Sequence, residues 1–95
     1  MAICVINKFP GITAERFQDA FPRLLPKGLP PAVSTYIGGV NEEGLTVIAV
    51  FDTAEAIDAL MAQLPRLLEG VGFPMPISTR IEVVPVNARP STEDA

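Results

Sequence analysis

Four side chains of this sequence are suited to chemistry on an organic molecule: Tyr36, Asn7, Arg80 and Glu82. Tyr36 is the only tyrosine. In an extended segment it shares a strand face with Ser34, where a phenol can donate a proton to a carbonyl or enolate oxygen. Read structurally, the same residue is a packed strand tyrosine with its hydroxyl at the surface. Arg80 and Glu82 alternate onto one strand face, where they can orient an anionic substrate or form a solvated edge or a dimer contact. Asn7 interrupts an apolar run, so its amide must find a hydrogen-bond partner in the chain, in a ligand or in a turn. Ser34, Phe51, Phe17 and Met61 are the expected substrate-binding residues around these groups.

What is missing narrows the chemistry further. The sequence has no histidine, which excludes histidine-ligated haem, histidine metal sites and Ser-His or Cys-His nucleophile pairs within the chain. Cys4 is the single cysteine. It reads as a small buried hydrophobe, with no evident neighbour to activate it as a thiolate. The carboxylates fall in a turn, Glu42 and Glu43, and at a helix start, Asp52 and Glu55, so no metal site is expected. No cofactor is expected either.

These groups must be carried by a small frame. Ninety-five residues, 48% hydrophobic and 19% charged, allow one domain with more apolar surface than so short a chain can bury alone. The net charge of -4 and the absence of a Lys/Arg cluster argue against nucleic acid. No run is long and apolar enough for a membrane span. A lone cysteine and no leader pattern give a cytoplasmic expectation.

Residues 2–9 are β-branched and end at Pro10-Gly11, which predicts a strand and a turn. Thr13 is an N-cap candidate, with Ile12 and Phe17 spaced as a hydrophobic staple. The helix it starts is expected to kink or restart at Pro22. Residues 32–40 read as a second strand, with a bulge or a close approach at Gly38-Gly39. Residues 45–51 are a third strand, apolar on both faces and paired with the second as a hairpin. Asp52-Thr-Ala-Glu55 has the spacing of a capping box, with Asp52 or Thr53 accepting from free amides and Glu55 reaching back, and a leucine-rich helix follows, interrupted at Pro65 and ended by Gly70 and Gly72. Residues 77–86 alternate as a fourth strand, an edge by virtue of Pro85. The domain is expected over 1–87 and a mobile tail over 88–95.

The order is βαββαβ, the ferredoxin-like α+β plan: a four-stranded antiparallel sheet, strand order 4-1-3-2, with both helices on one face. The other face stays apolar and bare, and a second copy's sheet is the expected cover. The expected partners are thus a homodimer mate, or a higher homo-oligomer, and a small-molecule ligand.

The order and lengths over residues 2–87 resemble the dimeric α/β-barrel superfamily. The resemblance is carried by Phe9-Pro-Gly-Ile-Thr13, by Gly38-Gly39, by residues 44–52 and by Val84-Pro-Val86. It implies two sheets packed into a shared barrel. It also implies one of several activities, among them the cofactor-free monooxygenases of antibiotic biosynthesis and several isomerases and cyclases. The haem-degrading and chlorite-dismuting members rely on histidine and do not fit. The monooxygenases commonly use tryptophan, which this chain lacks. Two classes of function stay open: a metal-free and haem-free enzyme acting on a small hydrophobic or aromatic substrate, by oxidation or by proton transfer, and a non-catalytic ligand-binding or assembly module.

Overall fold

The structure, a computed structural model, describes residues 2–84. The expected tail, the domain limit at 87 and the end of the fourth strand at Pro85 and Val86 lie outside the described residues. The elements run β1 (Ile3–Pro10), α1 (Ala14–Leu24), β2 (Val33–Asn41), β3 (Gly44–Phe51), α2 (Ala54–Val71) and β4 (Ile77–Glu82). One antiparallel sheet of order β2-β3-β1-β4 carries both helices on one face, the ferredoxin-like arrangement. No helix among the described residues is long and apolar enough to cross a membrane.

Local chemistry explains the helix ends. Thr13 Oγ1 accepts from the Arg16 N–H at 3.2 Å and starts α1, with Ile12 buried beneath the first turn. The helix then passes through Pro22 to Leu24 rather than restarting, and α2 likewise passes through Pro65 and Gly70. Each proline deletes one backbone donor, a loss outweighed by the packed residues beside it, Ala20 and Leu24 in α1 and Leu64 and Leu68 in α2. The cap of α2 is Thr53, whose Oγ1 accepts from Ala56 N–H at 3.2 Å. That places Glu55 one position short of the third helical residue, so the expected reciprocal capping box is replaced by a simple hydroxyl cap with an acid in the first turn. At the other end Gly72 turns left-handed at φ 73°, Gly72 N–H reaches Glu69 O at 3.2 Å and Phe73 N–H reaches Leu68 O at 3.0 Å. This is a Schellman closure, sealed by the buried Leu68 and Phe73.

Strand pairing sorts the side chains into rows. On the helix face the rows are Val33–Phe51–Ile3–Glu82, Tyr36–Ala49–Val5–Arg80 and Gly38–Val47–Asn7–Ser78. Two clusters of buried residues stand on this face, one around Phe9, Leu45, Val47, Leu68 and Phe73, the other around Val5, Ala49, Phe51 and Ile57. Tyr36 packs against both. The opposite face carries Ile6, Ile37, Ile48, Val50, Ile77 and Ile81, of which Ile37, Ile77 and Ile81 are exposed by half or more.

Gly44 opens β3 at φ 131°, and a Cβ there would come within 2.4 Å of Phe9 O and 2.6 Å of Gly11 N. Only glycine lets the hairpin end press against the Pro10-Gly11 turn, where Gly11 N–H bonds Glu43 O at 3.0 Å.

Candidate functional site

Between the sheet and the two helices lies a cavity of about 80 Å3. Its lining is apolar apart from two side chains, Asn7 and Tyr36. Phe17, Phe51 and Met61 line it as well, so five of the eight residues expected at a site come together here. Phe21, Leu24 and Leu25 add to the wall from α1 and the residue after it. Their helical spacing with Phe17 marked them as an apolar face, but periodicity cannot separate a core face from the wall of a cavity. Leu29 and Pro30 also line it, from a connection that sequence pattern marks only as a helix stop.

Tyr36 reaches the cavity because β2 carries an extra residue. Val33 pairs with Phe51 and Thr35 with Val50, so the register slips at Ser34. Simple alternation would put Ser34 and Tyr36 on one face; after the bulge it is Val33, Tyr36 and Gly38 that face the helices. Ser34 is therefore not Tyr36's neighbour in the site. It is exposed and its hydroxyl donates to Val50 O at 3.4 Å. The Gly38-Gly39 pair, a candidate for the bulge, stays in regular register. Its role is the close approach: a Cβ on Gly38 would stand 3.1 Å from Phe17 Cε2, so the missing side chain makes room for the Phe17 ring.

Burial pushes the Tyr36 hydroxyl from 10.0 up to about 12, because the apolar walls disfavour a phenolate. At ordinary pH the group is a neutral phenol, able to donate a hydrogen bond and unable to act as a general base. Asn7, half-buried on β1, accepts a hydrogen bond from Ser78 Oγ on its Oδ1 at 2.6 Å. The two groups are two strands and one row apart, about 12 Å between Cα atoms by sheet geometry, a span that one ring system can bridge from both sides.

Arg80 and Glu82 do face the helix side of β4, as alternation requires, but neither lines the cavity. Arg80 lies at the far end of Tyr36's own row, about 14 Å away across three strand gaps, with Ala49 and Val5 buried between them. Its guanidinium is taken by Asp58 on α2, Nη1 to Oδ1 at 3.0 Å. Both partners are well exposed, so the pair adds little to stability. Glu82 is exposed at the end of the outer row. Among the described residues no three Cys, Asp or Glu side chains are grouped to hold a metal ion.

No protein-family model matches the sequence, and no curated protein matches it. Solved structures do. SnoaB, a cofactor-independent oxygenase from Streptomyces nogalater, superposes with a TM-score of 0.67 at 16% identity, over 93% of this chain and 98% of that one. A monooxygenase from the gene ActVA-Orf6 of Streptomyces coelicolor, in complex with nanaomycin D, superposes with a TM-score of 0.60 at 16% identity, over 95% and 92% of the two chains. At these identities the likeness establishes the shared ferredoxin-like fold over nearly the whole chain.

Proposed function

We propose that this chain is a homodimeric protein that binds a hydroxylated aromatic molecule between its sheet and helices and oxidises it with dioxygen, without a cofactor. The observation that carries the reading is the cavity itself: apolar walls with two polar side chains in the lining, Tyr36 and Asn7, carried two strands apart on the same sheet face. Donors fixed in an apolar setting stabilise an oxyanion, and a ligand phenolate is the form that gives electrons to dioxygen. In balance, a phenol and O2 become a quinone and water. The phenolic proton passes to solvent, since no carboxylate or amine belongs to the lining.

That same lining weakens the proton-transfer alternative, because it keeps the Tyr36 phenol as a donor but leaves Arg80 and Glu82, the residues expected to orient an anionic substrate, on the far edge of the sheet. The resemblance to cofactor-independent oxygenases of the same fold supports oxidation. The apolar face bearing Ile37, Ile48 and Ile81 supports the dimer, since a second sheet laid on it removes exposed branched side chains from water. A cytoplasmic setting is in keeping with the single buried Cys4.

The test uses 1-naphthol as the probe. Dioxygen uptake matched by quinone absorbance, and lost in Tyr36→Phe with binding retained, supports the oxygenase. Binding with no uptake gives a non-catalytic carrier, which the lack of any ionisable base in the lining would suit. Amide resonances of Val47 and Ala49 unmoved by the probe would remove the cavity from consideration.

A further inference from the structure

The cavity has a neighbour. Between α1 and the edge strand β2 lies an open groove of about 550 Å3, bounded by Gln18 and Pro22 on one side and by Gly38, Gly39 and Val40 on the other. Phe17, Phe21, Tyr36 and Leu45 belong to both spaces. Their three rings form a continuous partition, with Phe17 5.6 Å from Phe21 and Phe21 5.5 Å from Tyr36, centre to centre.

The three rings are held by different supports. Phe17 lies over Gly38, on a helical turn pinned by the Thr13 cap and by Arg16, which bonds Gly72 O at 3.2 Å and covers the Phe73 ring at 5.3 Å. Tyr36 is fixed by the sheet. Phe21 stands near the other end of α1, directly before Pro22, which supplies no N–H to Gln18 O one turn back. The connection that follows, with Leu25, Leu29 and Pro30, makes up more of the cavity wall, and Leu29 is exposed.

Volume sets the requirement. The cavity's 80 Å3 is well short of the about 150 Å3 that admits a benzene-sized guest, so a fused-ring ligand has to borrow space. The groove is the adjoining space, and Phe21, the middle ring of the three and the one beside the proline, stands in the wall between them. We propose that Phe21 is a gate: a hydroxylated fused-ring aromatic passes from the groove toward the cavity as Phe21 swings off Tyr36, and the bound ligand spans both spaces with its hydroxylated edge in the cavity and the rest in the groove and the space that Phe21 vacates. The gate rests on the reading of the cavity as a ligand site.

Stopped-flow binding of 1-naphthol to the wild type, Phe21→Ala and Phe21→Leu tests it. A gate limits arrival and departure alike, so the association and dissociation rates rise together by about tenfold in Phe21→Ala and less in Phe21→Leu, with Kd held within about threefold. If Phe21 is a passive wall, only dissociation speeds up and association stays unchanged in both variants, which overturns the gate while leaving the site in place. Phe21→Leu keeps an apolar side chain at the position and carries the test where the alanine variant fails to fold. A wild-type protein whose Phe17 and Val47 resonances ignore 1-naphthol overturns the site and the gate together.

Discussion

Ser78 Oγ donates to Asn7 Oδ1 at 2.6 Å across the β1–β4 pair. The contact turns the carbonyl end of the amide toward the sheet edge, and in the proposed site the NH2 end is then the part offered to a ligand. In Ser78→Ala that orientation is lost together with one hydrogen bond. The variant should be less stable by about 1 kcal/mol, read as a lowered Tm, and should bind 1-naphthol more weakly while Tyr36→Phe and Ser78→Ala effects remain separable in the double variant.

Tyr36 gives stability its alkaline limit. Its folded-state value of about 12 lies above the ordinary 10.0, so the neutral phenol's contribution is whole below pH 10 and falls away as pH rises toward and through 12. Denaturant melts at stepped alkaline pH should show this loss in the wild type and a flatter profile in Tyr36→Phe. Because Tyr36 is the only tyrosine, phenolate absorbance reports the same ionisation without deconvolution, and a midpoint near the ordinary value would contradict its burial.

Gly44→Ala combines a left-handed backbone with a Cβ pressed on Phe9 O and Gly11 N. The expected cost is about 2 kcal/mol or more, measured by urea unfolding. Gly38→Ala is a contrasting case, since its Cβ meets only the edge of the Phe17 ring at 3.1 Å. It should be tolerated in the fold and felt in ligand binding.

A charge at the middle of the open sheet face should prevent the proposed dimer. Ile48 is half-buried at the centre of that face, between Ile37 and Ile6. Ile48→Lys is expected to halve the mass seen by light scattering with the circular dichroism spectrum kept. A wild type that is monomeric at high concentration would remove the sheet-to-sheet dimer.

Much of the fold is written in patterns that local physics reads directly. The β-branched runs give the strands, Thr13 gives the first helix start, and the strand order follows from the βαββαβ sequence of elements. The departures have local causes. Pro22 and Pro65 are punctuation in an isolated helix, yet here the packed neighbours of each along the chain carry the helix through. The second cap falls to Thr53, one of the two residues the spacing offers, because either can accept from a first-turn amide and spacing alone does not choose. The site was half legible: Tyr36, Asn7, Phe17, Phe51 and Met61 face one cavity because the period-two and period-3.6 rules place them there or nearly so. Ser34 was misplaced by a bulge that no glycine or proline announces. Arg80 was an open question of partners, and Asp58, on a helix far along the chain, answers it in a way no short-range pattern contains.

The slip at Ser34 has a second consequence, away from the cavity. β2 is an edge of the sheet, and an edge strand offers its free N–H and C=O groups as a template to any extended chain that drifts alongside. A ladder regular along its whole length would offer the longest such template. The extra residue puts the template out of step near its beginning. The irregularity that delivers a tyrosine to the interior thus also guards the protein against polymerising through its edge.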